Sequence, residues 1–517
     1  MRIEFQKQGS RLPHTWETCV GAGRANEGLR ADWQRQLRLV RQECGFRYLR
    51  FHGLFHDDMH VYAEENGQPH YNFQYVDALF DAMLDMGVRP FVELSFMPEA
   101  LVSNEQTLFW WKARIAPPND YEKWADLVEQ TIRHWLERYG AEEVHQWFFE
   151  VWNEPNLDAF WSGTRSQYFE LYRVTSLRIK AIDPALKVGG PATSNYVPDG
   201  RFDGETEDVS SQMTFKVEDL DSLQWHGVWI EAFLQYCAEH KLPVDFVSCH
   251  PYPTDFALDG HGESSGRTRN RDSLQQDIQW LRRAIQNSAY PDAEVYLTEW
   301  SCSPSSRDCS HDYLPAAAYV LRSNLHCAGM VDALSYWTFT DVFEEVGAGP
   351  KAFHGGFGMV TLQGVKKPVF HAYRILHELG EVKLDEGEGW IATRKDNRLN
   401  MAFYHYPEEH PGTVPMSMYP NQSIAQACQQ VGAPRRYQLE VAGLPSGQTY
   451  TLALLKPGTT AVELWNAMGA PTAPTREQTR LLRQQGDYLE KTVLTVAADG
   501  CLRLDFTVPA WTIGQLC

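Results

Sequence analysis

The sequence lacks an excess of positive charge, a long apolar run and an apolar leader. Its 47 lysines and arginines are outnumbered by 67 aspartates and glutamates, and the net charge is −20. That charge argues against nucleic acid or an anionic membrane as a partner. No segment reaches the roughly 18 apolar residues that a membrane-spanning helix needs. Residues 1–7 show no apolar signal-peptide core, so we expect a cytoplasmic protein, or a periplasmic one if a signal peptide has been removed.

Paired cysteine motifs are also lacking. The ten cysteines are scattered along the chain without a CxxC pair, which argues against a zinc framework and favours reduced, buried thiols. The spacing of Cys302 and Cys309 leaves open whether these two close a small loop. We find no internal repeat and no low-complexity segment.

A histidine-rich segment follows the second apolar run. His52, His56 and His60, together with Asp57 and Asp58, superficially resemble metal ligands. Their spacing in a loop does not place them on a shared face, and no Cys/His framework accompanies them. We therefore expect no metal and no cofactor, and we expect these side chains to contact sugar hydroxyls or to support the site.

Apolar strands that alternate with amphipathic helices dominate what is present. The chain has 517 residues, 43% of them apolar, which is ample for a large core. Strands are predicted near residues 17–20, 46–51, 88–94, 145–152, 186–190, 244–249, 294–299 and 331–338, and helices near 28–43, 74–86, 119–139, 165–182, 225–240, 272–287, 313–327 and 369–379. Eight strands, each followed by a helix, predict an α/β fold of the (β/α)8 TIM-barrel type.

The pattern changes after about residue 381. Short alternating stretches at 399–404, 436–441 and 502–506 are separated by Gly, Pro and Asn turns, and one helical stretch, 476–488, interrupts them. This pattern is typical of a β-sandwich. We predict a catalytic barrel at residues 13–380 and an accessory sandwich at 381–517, which the alternating residues within 1–12 can join.

Two glutamates stand at the C-terminal ends of apolar strands. Asn153 and Glu154 follow the run 147–151, and Glu299 ends the run that starts at 295. Barrels of this type build their active sites at that end, so the two carboxyls should face one pocket. An Asn-Glu before Pro is by itself often only a turn or a helix start. Its combination with a second glutamate on the seventh strand favours a paired-carboxylate glycosidase.

That chemistry needs one protonated and one ionised carboxyl. Trp152 and Pro155 should desolvate Glu154 and raise its pKa, which suits a general acid that later acts as base. Glu299 suits the nucleophile if tyrosine or histidine side chains at the rim donate hydrogen bonds to it. Asn153 is a candidate to bind the sugar 2-hydroxyl. The assignment of the two roles rests on analogy with other barrels.

Further polar and aromatic side chains are predicted at the same rim, whereas random placement would divide them between both ends of the barrel. A satisfied core histidine is an equal interpretation of His250, and barrel packing is the alternative for Trp337. The candidates are His52 and Asp57 after the second strand, His250 and Tyr252 after the sixth, and Trp337, Glu344 and Glu345 after the eighth.

At these motifs the chain resembles glycoside hydrolase family 39, and within it the β-xylosidase branch of the retaining (β/α)8 clan A. The likeness covers about residues 12–380. The similar segments are 50–58 (RFHGLFHDD), 95–100 (SFMPEA), 109–112 (FWWK), 149–156 (FEVWNEPN), 249–253 (CHPYP), 296–300 (YLTEW), 336–345 (YWTFTDVFEE) and 354–358 (HGGFG).

The resemblance implies roles for several of these residues. Glu154 would be the acid/base and Glu299 the nucleophile, with Tyr252 as a donor to the nucleophile and Glu345 as an acceptor from sugar hydroxyls. It also implies a β-sandwich beside the barrel. Trp111, in the third similar segment, completes the predicted substrate-binding set, whose other members are His52, Asp57, Asn153, His250, Tyr252, Trp337, Glu344 and Glu345.

We therefore predict a retaining exo-β-1,4-xylosidase that releases D-xylose from the non-reducing end of xylo-oligosaccharides by double displacement. The alternatives are an α-L-iduronidase-like enzyme, an endo-acting exopolysaccharide glycosidase and a non-catalytic sugar-binding barrel. A uronate needs cationic groups, whereas Glu344 and Glu345 would repel it. A binding-only barrel would usually have lost one of the two carboxylates. The expected partner is a small glycoside, and the oligomeric state is left open.

Overall fold

In the computed structural model, which describes residues 1–198, 200–207, 224–253, 269–410 and 422–517, eight parallel strands close into a barrel. Each strand pairs with its neighbours in chain order, and the last pairs with the first. The strands are β1 (Cys19–Arg24), β2 (Tyr48–His52), β3 (Arg89–Leu94), β4 (Phe148–Val151), β5 (Lys187–Ser194), β6 (Phe246–His250), β7 (Glu294–Trp300) and β8 (Ala333–Tyr336).

A helix follows each strand and covers the outside of the barrel, which confirms the predicted (β/α)8 fold. The helices are α1 (Ala31–Cys44), α2 (Gln74–Asp85), α3 (Tyr121–Tyr139), α4 (Arg165–Ile182), α5 (Ile230–Glu239), α6 (Ser273–Gln286), α7 (Leu314–His326) and α8 (Pro368–Glu378), with a short helix, Ala141–Val144, after α3. Short 3-10 helices span Thr15–Glu17, Ala25–Leu29, Asp57–Met59, Glu99–Leu101, Gly200–Asp203 and Cys309–Asp312.

Helix α3 shows why these segments are helical. Asp120 caps its start by accepting the backbone N–H groups of residues 122 and 123. Trp124, Val128 and Trp135 lie on the face that is buried against the barrel. Gly140, with φ of 82°, follows the last turn, where a residue without a Cβ is least strained.

Inside the barrel, aromatic rings fill the end at which the strands begin. Phe91, Phe148, Phe246 and Tyr296 contact one another, with ring centroids 5.0 Å apart for Phe91 and Phe148 and 4.8 Å apart for Phe148 and Tyr296. Because side chains two positions apart share a face of a strand, the next layer toward the C-terminal mouth consists of polar residues such as Glu93, Glu150 and Thr298. The polar layer of the barrel interior thus packs on an aromatic layer at the end where the strands begin.

Outside the barrel, the chain forms a seven-stranded and a three-stranded sheet, consistent with the predicted β-sandwich. In chain order the strands are β9 (Val382–Gly387), β10 (Trp390–Lys395), β11 (Arg398–Tyr404), β12 (Arg435–Ala442), β13 (Thr449–Leu455), β14 (Glu490–Thr495), β15 (Cys501–Val508) and β16 (Ile513–Leu516). Ser10–Arg11 begins the larger sheet, which continues β9-β10-β11-β16-β13-β14, and Arg2–Glu4 joins β12 and β15 in the smaller one. The bounds of the two domains stay a prediction.

The C-terminal region contains more helix than the single stretch that the sequence predicts. Beside α11 (Arg476–Gly486), the structure has α9 (Gln422–Gln429) and α10 (Ala461–Ala467). These two helices span only two turns, which is too short for a clear periodic pattern. Helix α10 begins at a capping box, in which Thr460 and Glu463 satisfy each other's backbone N–H groups.

Small two-stranded antiparallel sheets extend several loops around the barrel. They pair Tyr62–Glu65 with Gln68–Tyr71, Thr107–Leu108 with Ala113–Arg114, and Tyr196–Val197 with His226–Gly227. Among the described residues, no helix combines the length and the apolar character that crossing a membrane requires. All ten cysteines lie in the described ranges as free thiols, including Cys302 and Cys309, whose pairing the sequence left open.

Candidate active site

Glu154 and Glu299 meet at the C-terminal mouth of the barrel. Only 6% and 5% of their surfaces are exposed, and one oxygen of each lies within 4.8 Å of the other and of a ring nitrogen of His250. Retaining glycosidases hold their carboxyls about 5–5.5 Å apart, whereas inverting enzymes leave about 6.5–9.5 Å for a water. The short spacing here matches a retaining pair.

The turn after β4 positions Glu154. Trp152 and Glu154 have φ angles of 72° and 44°, in the left-handed region that residues other than glycine seldom adopt. The backbone N–H of Glu154 donates to the carbonyl of Ala192 on β5 at 2.9 Å. The indole N–H of Trp152 donates to the carbonyl of Phe160 at 3.0 Å. These contacts hold the strained turn and direct the carboxyl into the mouth.

The surroundings of Glu154 favour its protonated form. Burial raises the pKa of Glu154 to about 7, although a hydrogen bond from Ser194 and the positive charges of His52 and Arg50 oppose the rise. Near neutral pH a large share of this carboxyl therefore carries a proton, which is the state that a general acid needs.

Glu299 is held by two donors. Arg50 donates from Nη1 to Oε1 at 2.8 Å, and the Tyr252 hydroxyl donates to Oε2 at 3.1 Å. Burial raises the pKa of Glu299, while the positive charges of Arg50 and His52 oppose that rise. Because each oxygen accepts a hydrogen bond, the contacts suit an ionised carboxylate.

Arg50 is the central residue that the sequence analysis did not single out. Its fully buried guanidinium donates to Glu150 at 2.5 Å, to Asn153 at 2.8 Å and to Glu299 at 2.8 Å, and pairs with Glu93 at 2.9 Å. A buried charge within an apolar strand requires a partner. Charged residues stand at positions 50, 93 and 150, within three neighbouring apolar strands. This pattern is the signal that could have predicted the cluster.

His52 provides a second cation beside Glu299. Its Nδ1 lies 2.8 Å from Glu93, and its Nε2 lies 3.6 Å from Glu299 and 3.8 Å from Glu345. Burial alone would lower the pKa of His52, but the charge and the hydrogen bond of Glu93 outweigh it and raise the pKa to about 9. His52 is therefore charged at neutral pH and faces two carboxyls.

His250 is neutral by contrast. Burial lowers its pKa to about 4. Its Nδ1 lies 2.9 Å from Glu154 and its Nε2 lies 3.0 Å from the Thr298 hydroxyl. Glu154, His250 and Glu299 have the spacing of a possible metal site, but neighbouring protein groups already engage their polar atoms, and Arg50 places a positive charge against Glu299.

Trp337 and Glu345 complete the inner site. The ring of Trp337 lies 4.8 Å from the ring of His52, and Arg50 lies 6.0 Å from the indole. Burial raises the pKa of Glu345 to about 8, and the positive charge of His52 opposes the rise. The structure thus brings five predicted residues around the carboxyl pair of Glu154 and Glu299, namely His52, His250, Tyr252, Trp337 and Glu345. Asn153 lies beside them and accepts a hydrogen bond from Arg50.

Three predicted substrate contacts lie further out. Both oxygens of Glu344 are engaged by arginines, one of them Arg24 at 3.4 Å. Asp57 accepts the backbone N–H of residue 99 at 3.0 Å. Trp111 is buried, with the guanidinium of Arg24 4.8 Å from its ring. Within the described part of the chain, no hydrogen bond or ion pair joins these three side chains to the carboxyl pair.

Proteins of known activity resemble this chain along most of its length. It is 40% identical over 394 residues to a β-xylosidase of Geobacillus stearothermophilus, a match that covers 74% of this chain and 72% of that one. It is 39% identical over 388 residues to a β-xylosidase of Caldicellulosiruptor saccharolyticus, with the same coverage.

A solved structure and a family model extend the comparison. The crystal structure of a monomeric β-xylosidase from Caulobacter crescentus CB15 superimposes with a TM-score of 0.84 at 31% identity, and the match covers 100% of this chain and 98% of that one. The model of the family "Glycosyl hydrolases family 39" matches residues 1–503. The resemblance that the motifs indicated is therefore confirmed, and the chain belongs to glycoside hydrolase family 39.

Proposed function

We propose that this chain is a retaining exo-β-1,4-xylosidase that releases D-xylose from the non-reducing end of short xylo-oligosaccharides. The observation that carries the proposal is the approach of Glu154 and Glu299 to within 4.8 Å. The substrate class is supported by the two relatives that are named β-xylosidases at 39% and 40% identity.

The reaction proceeds in two displacements at the anomeric carbon. In the first, an oxygen of Glu299 bonds to that carbon while the bond to the aglycone oxygen breaks, and Glu154 gives its proton to the departing oxygen. In the second, water attacks the same carbon, Glu154 takes a proton from it, and the bond to Glu299 breaks. Two inversions release xylose with its configuration retained.

The neighbours of each carboxyl support this division of roles. The guanidinium of Arg50 and the hydroxyl of Tyr252 stabilise the charge on Glu299 before attack. Burial keeps a proton on Glu154. Once Glu299 is esterified its negative charge is gone, so Glu154 loses its proton more readily and can act as base in the second step.

Asn153 is suited to bind the sugar. Its Oδ1 accepts a hydrogen bond from Arg50 at 2.8 Å, while its Nδ2 is buried without a partner among the described residues. A buried donor without a partner destabilises the empty site, and a sugar hydroxyl would satisfy it. We propose the 2-hydroxyl, beside the anomeric carbon, as this partner.

The surroundings favour a neutral sugar over a uronate. Arg24, an arginine of the outer rim, is paired with Asp58 and Glu344. Glu345 faces the inner site near His52. With its pKa raised to about 8, Glu345 is mostly protonated near neutral pH and offers a uronate carboxylate no positive charge, and Arg24 is already engaged. Phe109 and Phe160, 5.7 Å apart, lie 6.5 and 6.3 Å from His52 and support a closed pocket, as an exo-acting enzyme needs.

We also propose a cytoplasmic location. Free thiols persist in reducing compartments, and all ten cysteines of the chain are unpaired. The proposal predicts that purification under oxidising conditions forms no native disulfide, which thiol titration of the unfolded protein would measure.

Hydrolysis of a panel of aryl glycosides tests the proposed function. Wild type should cleave the β-D-xyloside faster than the corresponding hexosides and uronides. Glu154→Ala should lose roughly 10²–10⁴-fold in kcat on a substrate with a poor leaving group, and Glu299→Ala should lose at least as much. On a substrate with an activated leaving group, azide should restore turnover in both, giving α-xylosyl azide with Glu299→Ala and β-xylosyl azide with Glu154→Ala.

The exposed residue Glu142, on the short helix after α3, offers a control. Glu142→Ala should keep wild-type rates. Wild-type activity in Glu299→Ala would contradict the nucleophile assignment. Preference for uronides in the panel would contradict the proposed substrate while leaving the mechanism intact.

A further inference from the structure

Four buried side chains form one line of hydrogen bonds that ends at Glu154. The Thr298 hydroxyl lies 2.8 Å from Oε1 of Glu150. Nε2 of His250 lies 3.0 Å from the same hydroxyl oxygen, and Nδ1 of His250 lies 2.9 Å from Oε1 of Glu154. The exposed fractions of Glu150, Thr298, His250 and Glu154 are 0%, 1%, 0% and 6%, so neighbouring side chains must satisfy these groups.

Counting hydrogens gives the direction of each bond. Glu150 is paired with Arg50 at 2.5 Å, and an ionised carboxylate only accepts hydrogen bonds. The single hydroxyl hydrogen of Thr298 therefore points at Glu150. The Thr298 oxygen is left to accept the N–H at Nε2 of His250. A neutral imidazole with its hydrogen on Nε2 has no hydrogen on Nδ1, and this bare nitrogen faces Glu154.

The imidazole is surrounded by charges from several strands. The groups are Glu150 and Glu154 from β4 and its following turn, Glu299 on β7, Arg50 on β2 and Glu93 on β3. Burial outweighs the acidic neighbours and keeps His250 neutral, with its pKa lowered to about 4. Because the ring of His250 is uncharged, its effect on Glu154 depends on which ring nitrogen carries the hydrogen.

We propose that Thr298 and Glu150 are positioning residues which hold His250 in the tautomer that keeps a proton on Glu154. A deprotonated Glu154 would place an oxygen lone pair against the lone pair of Nδ1, whereas the protonated carboxyl donates to that nitrogen. The opposite tautomer would donate from Nδ1 and stabilise the carboxylate. The inference rests on the proposed role of Glu154 as acid/base.

The same arrangement serves both chemical steps. When Glu154 gives its proton to the aglycone oxygen, it is left as a carboxylate opposite a bare nitrogen. That repulsion favours taking a proton from the attacking water, whose oxygen bonds to the anomeric carbon as the bond to Glu299 breaks. Glu154 is then protonated again, and the line of hydrogen bonds is as it was at the start.

Thr298→Val tests the proposal because valine keeps the shape and removes the hydroxyl. His250 would be free to move its hydrogen to Nδ1 and to donate to Glu154. For β-1,4-xylobiose, we expect kcat/KM at pH 7 to fall about 5-fold, with its decline at high pH shifted about one unit lower. For 2,4-dinitrophenyl β-xyloside, whose leaving group needs no proton, we expect kcat/KM to change less than about 3-fold.

Two variants control for a purely structural effect. Thr298→Ser keeps a hydroxyl and should restore the wild-type pH profile. Thr193, on β5, is a buried threonine whose hydroxyl has no hydrogen-bond partner within the described residues, so Thr193→Val should leave both substrates unaffected. If Thr298→Val does not fold, Thr298→Ala removes the same hydroxyl without the bulk, and thermal unfolding would verify the fold of each protein.

The outcomes separate this inference from the proposed function. An equal loss on both substrates in Thr298→Val, with an unshifted pH profile, would overturn the role of Thr298 as a positioning residue. Glu154→Ala should itself discriminate strongly between the two leaving groups. If it does not, the acid/base assignment fails, whatever the threonine variants do.

Discussion

Glu154 and Glu299 have the same side chain, but different neighbouring residues surround them. Glu299 receives donors from Arg50 and Tyr252, whereas Glu154 faces the neutral ring of His250 at 2.9 Å. A positive charge and two donors favour an ionised carboxyl, and desolvation favours a protonated one. The difference between the two roles therefore comes from the contacts of each side chain and not from its type.

The raised pKa of Glu154 predicts a pH limit to activity. This carboxyl must carry a proton when the aglycone leaves. We therefore expect kcat/KM for xylobiose to be high below pH 7 and to fall as the pH rises through about 7. The measurement is a pH–rate profile of the wild-type protein. A substrate with an activated leaving group is the control and should not show this decline. A decline centred near pH 4–5, the range of an ordinary glutamate, would contradict the assignment.

At the scale of elements, a buried ion triad links the loops that follow β7 and β8. Lys367, the residue before α8, lies 2.8 Å from Asp312 and 2.7 Å from Asp341, and it donates to the carbonyl of Gly356 at 2.9 Å. Asp312 ends the 3-10 helix after β7, and Asp341 lies in the loop after β8. The triad thus joins the strand ends that carry Glu299 and Trp337.

Removing the lysine of this triad should destabilise the fold. Lys367→Met leaves two buried carboxylates without a counter-charge, and we expect the free energy of unfolding to fall by roughly 3–5 kcal/mol. Urea denaturation would measure the change. The matched control is Lys383→Met on β9, which breaks a partly exposed pair with Glu386 and should change stability by about 1 kcal/mol or less. Equal, small effects would show that the triad contributes little.

At the scale of the whole molecule, the chain begins in the sheets that its C-terminal part builds. Arg2–Glu4 pairs in parallel with β12, and Ser10–Arg11 pairs with β9. On the other side, Trp511 and Ile513 belong to the same apolar cluster as residues of α7 and α8. The first residues thus complete the sheets, and the last strand packs against the barrel.

Phe5→Ala should separate stability from catalysis. Phe5 is 1% exposed and packs in the core between the two sheets, so its truncation should cost roughly 3–5 kcal/mol. The carboxyl pair lies in the barrel mouth, and kcat/KM at 25 °C should stay unchanged. Thermal unfolding and a rate assay on one preparation would measure both. Gln8→Ala, at an exposed position, is the control. A loss of activity without a loss of stability would contradict the expectation that Phe5 contributes to stability and not to catalysis.

Much of the fold and of the site could be predicted because the signals are local. The apolar period of residues 119–139 predicts α3 within two residues of its observed start at Tyr121, and strand ends at Glu154 and Glu299 indicate one rim of a barrel. Signals of this kind depend only on neighbours in the chain. The helices α9 and α10 were missed because two turns hold too few residues for a period to be visible.

What the sequence by itself determined is the order of strands and helices and the end of the barrel at which the two carboxyls lie. Only the tertiary structure decided that Arg50 binds Glu150 and Glu299, which are 100 and 249 residues away in the chain. It likewise decided that Glu344 is engaged by arginines and that His250 faces Glu154 through Nδ1. Periodicity and turn chemistry act between near neighbours, whereas ion pairing, burial and tautomer choice depend on groups that only the closed barrel brings together.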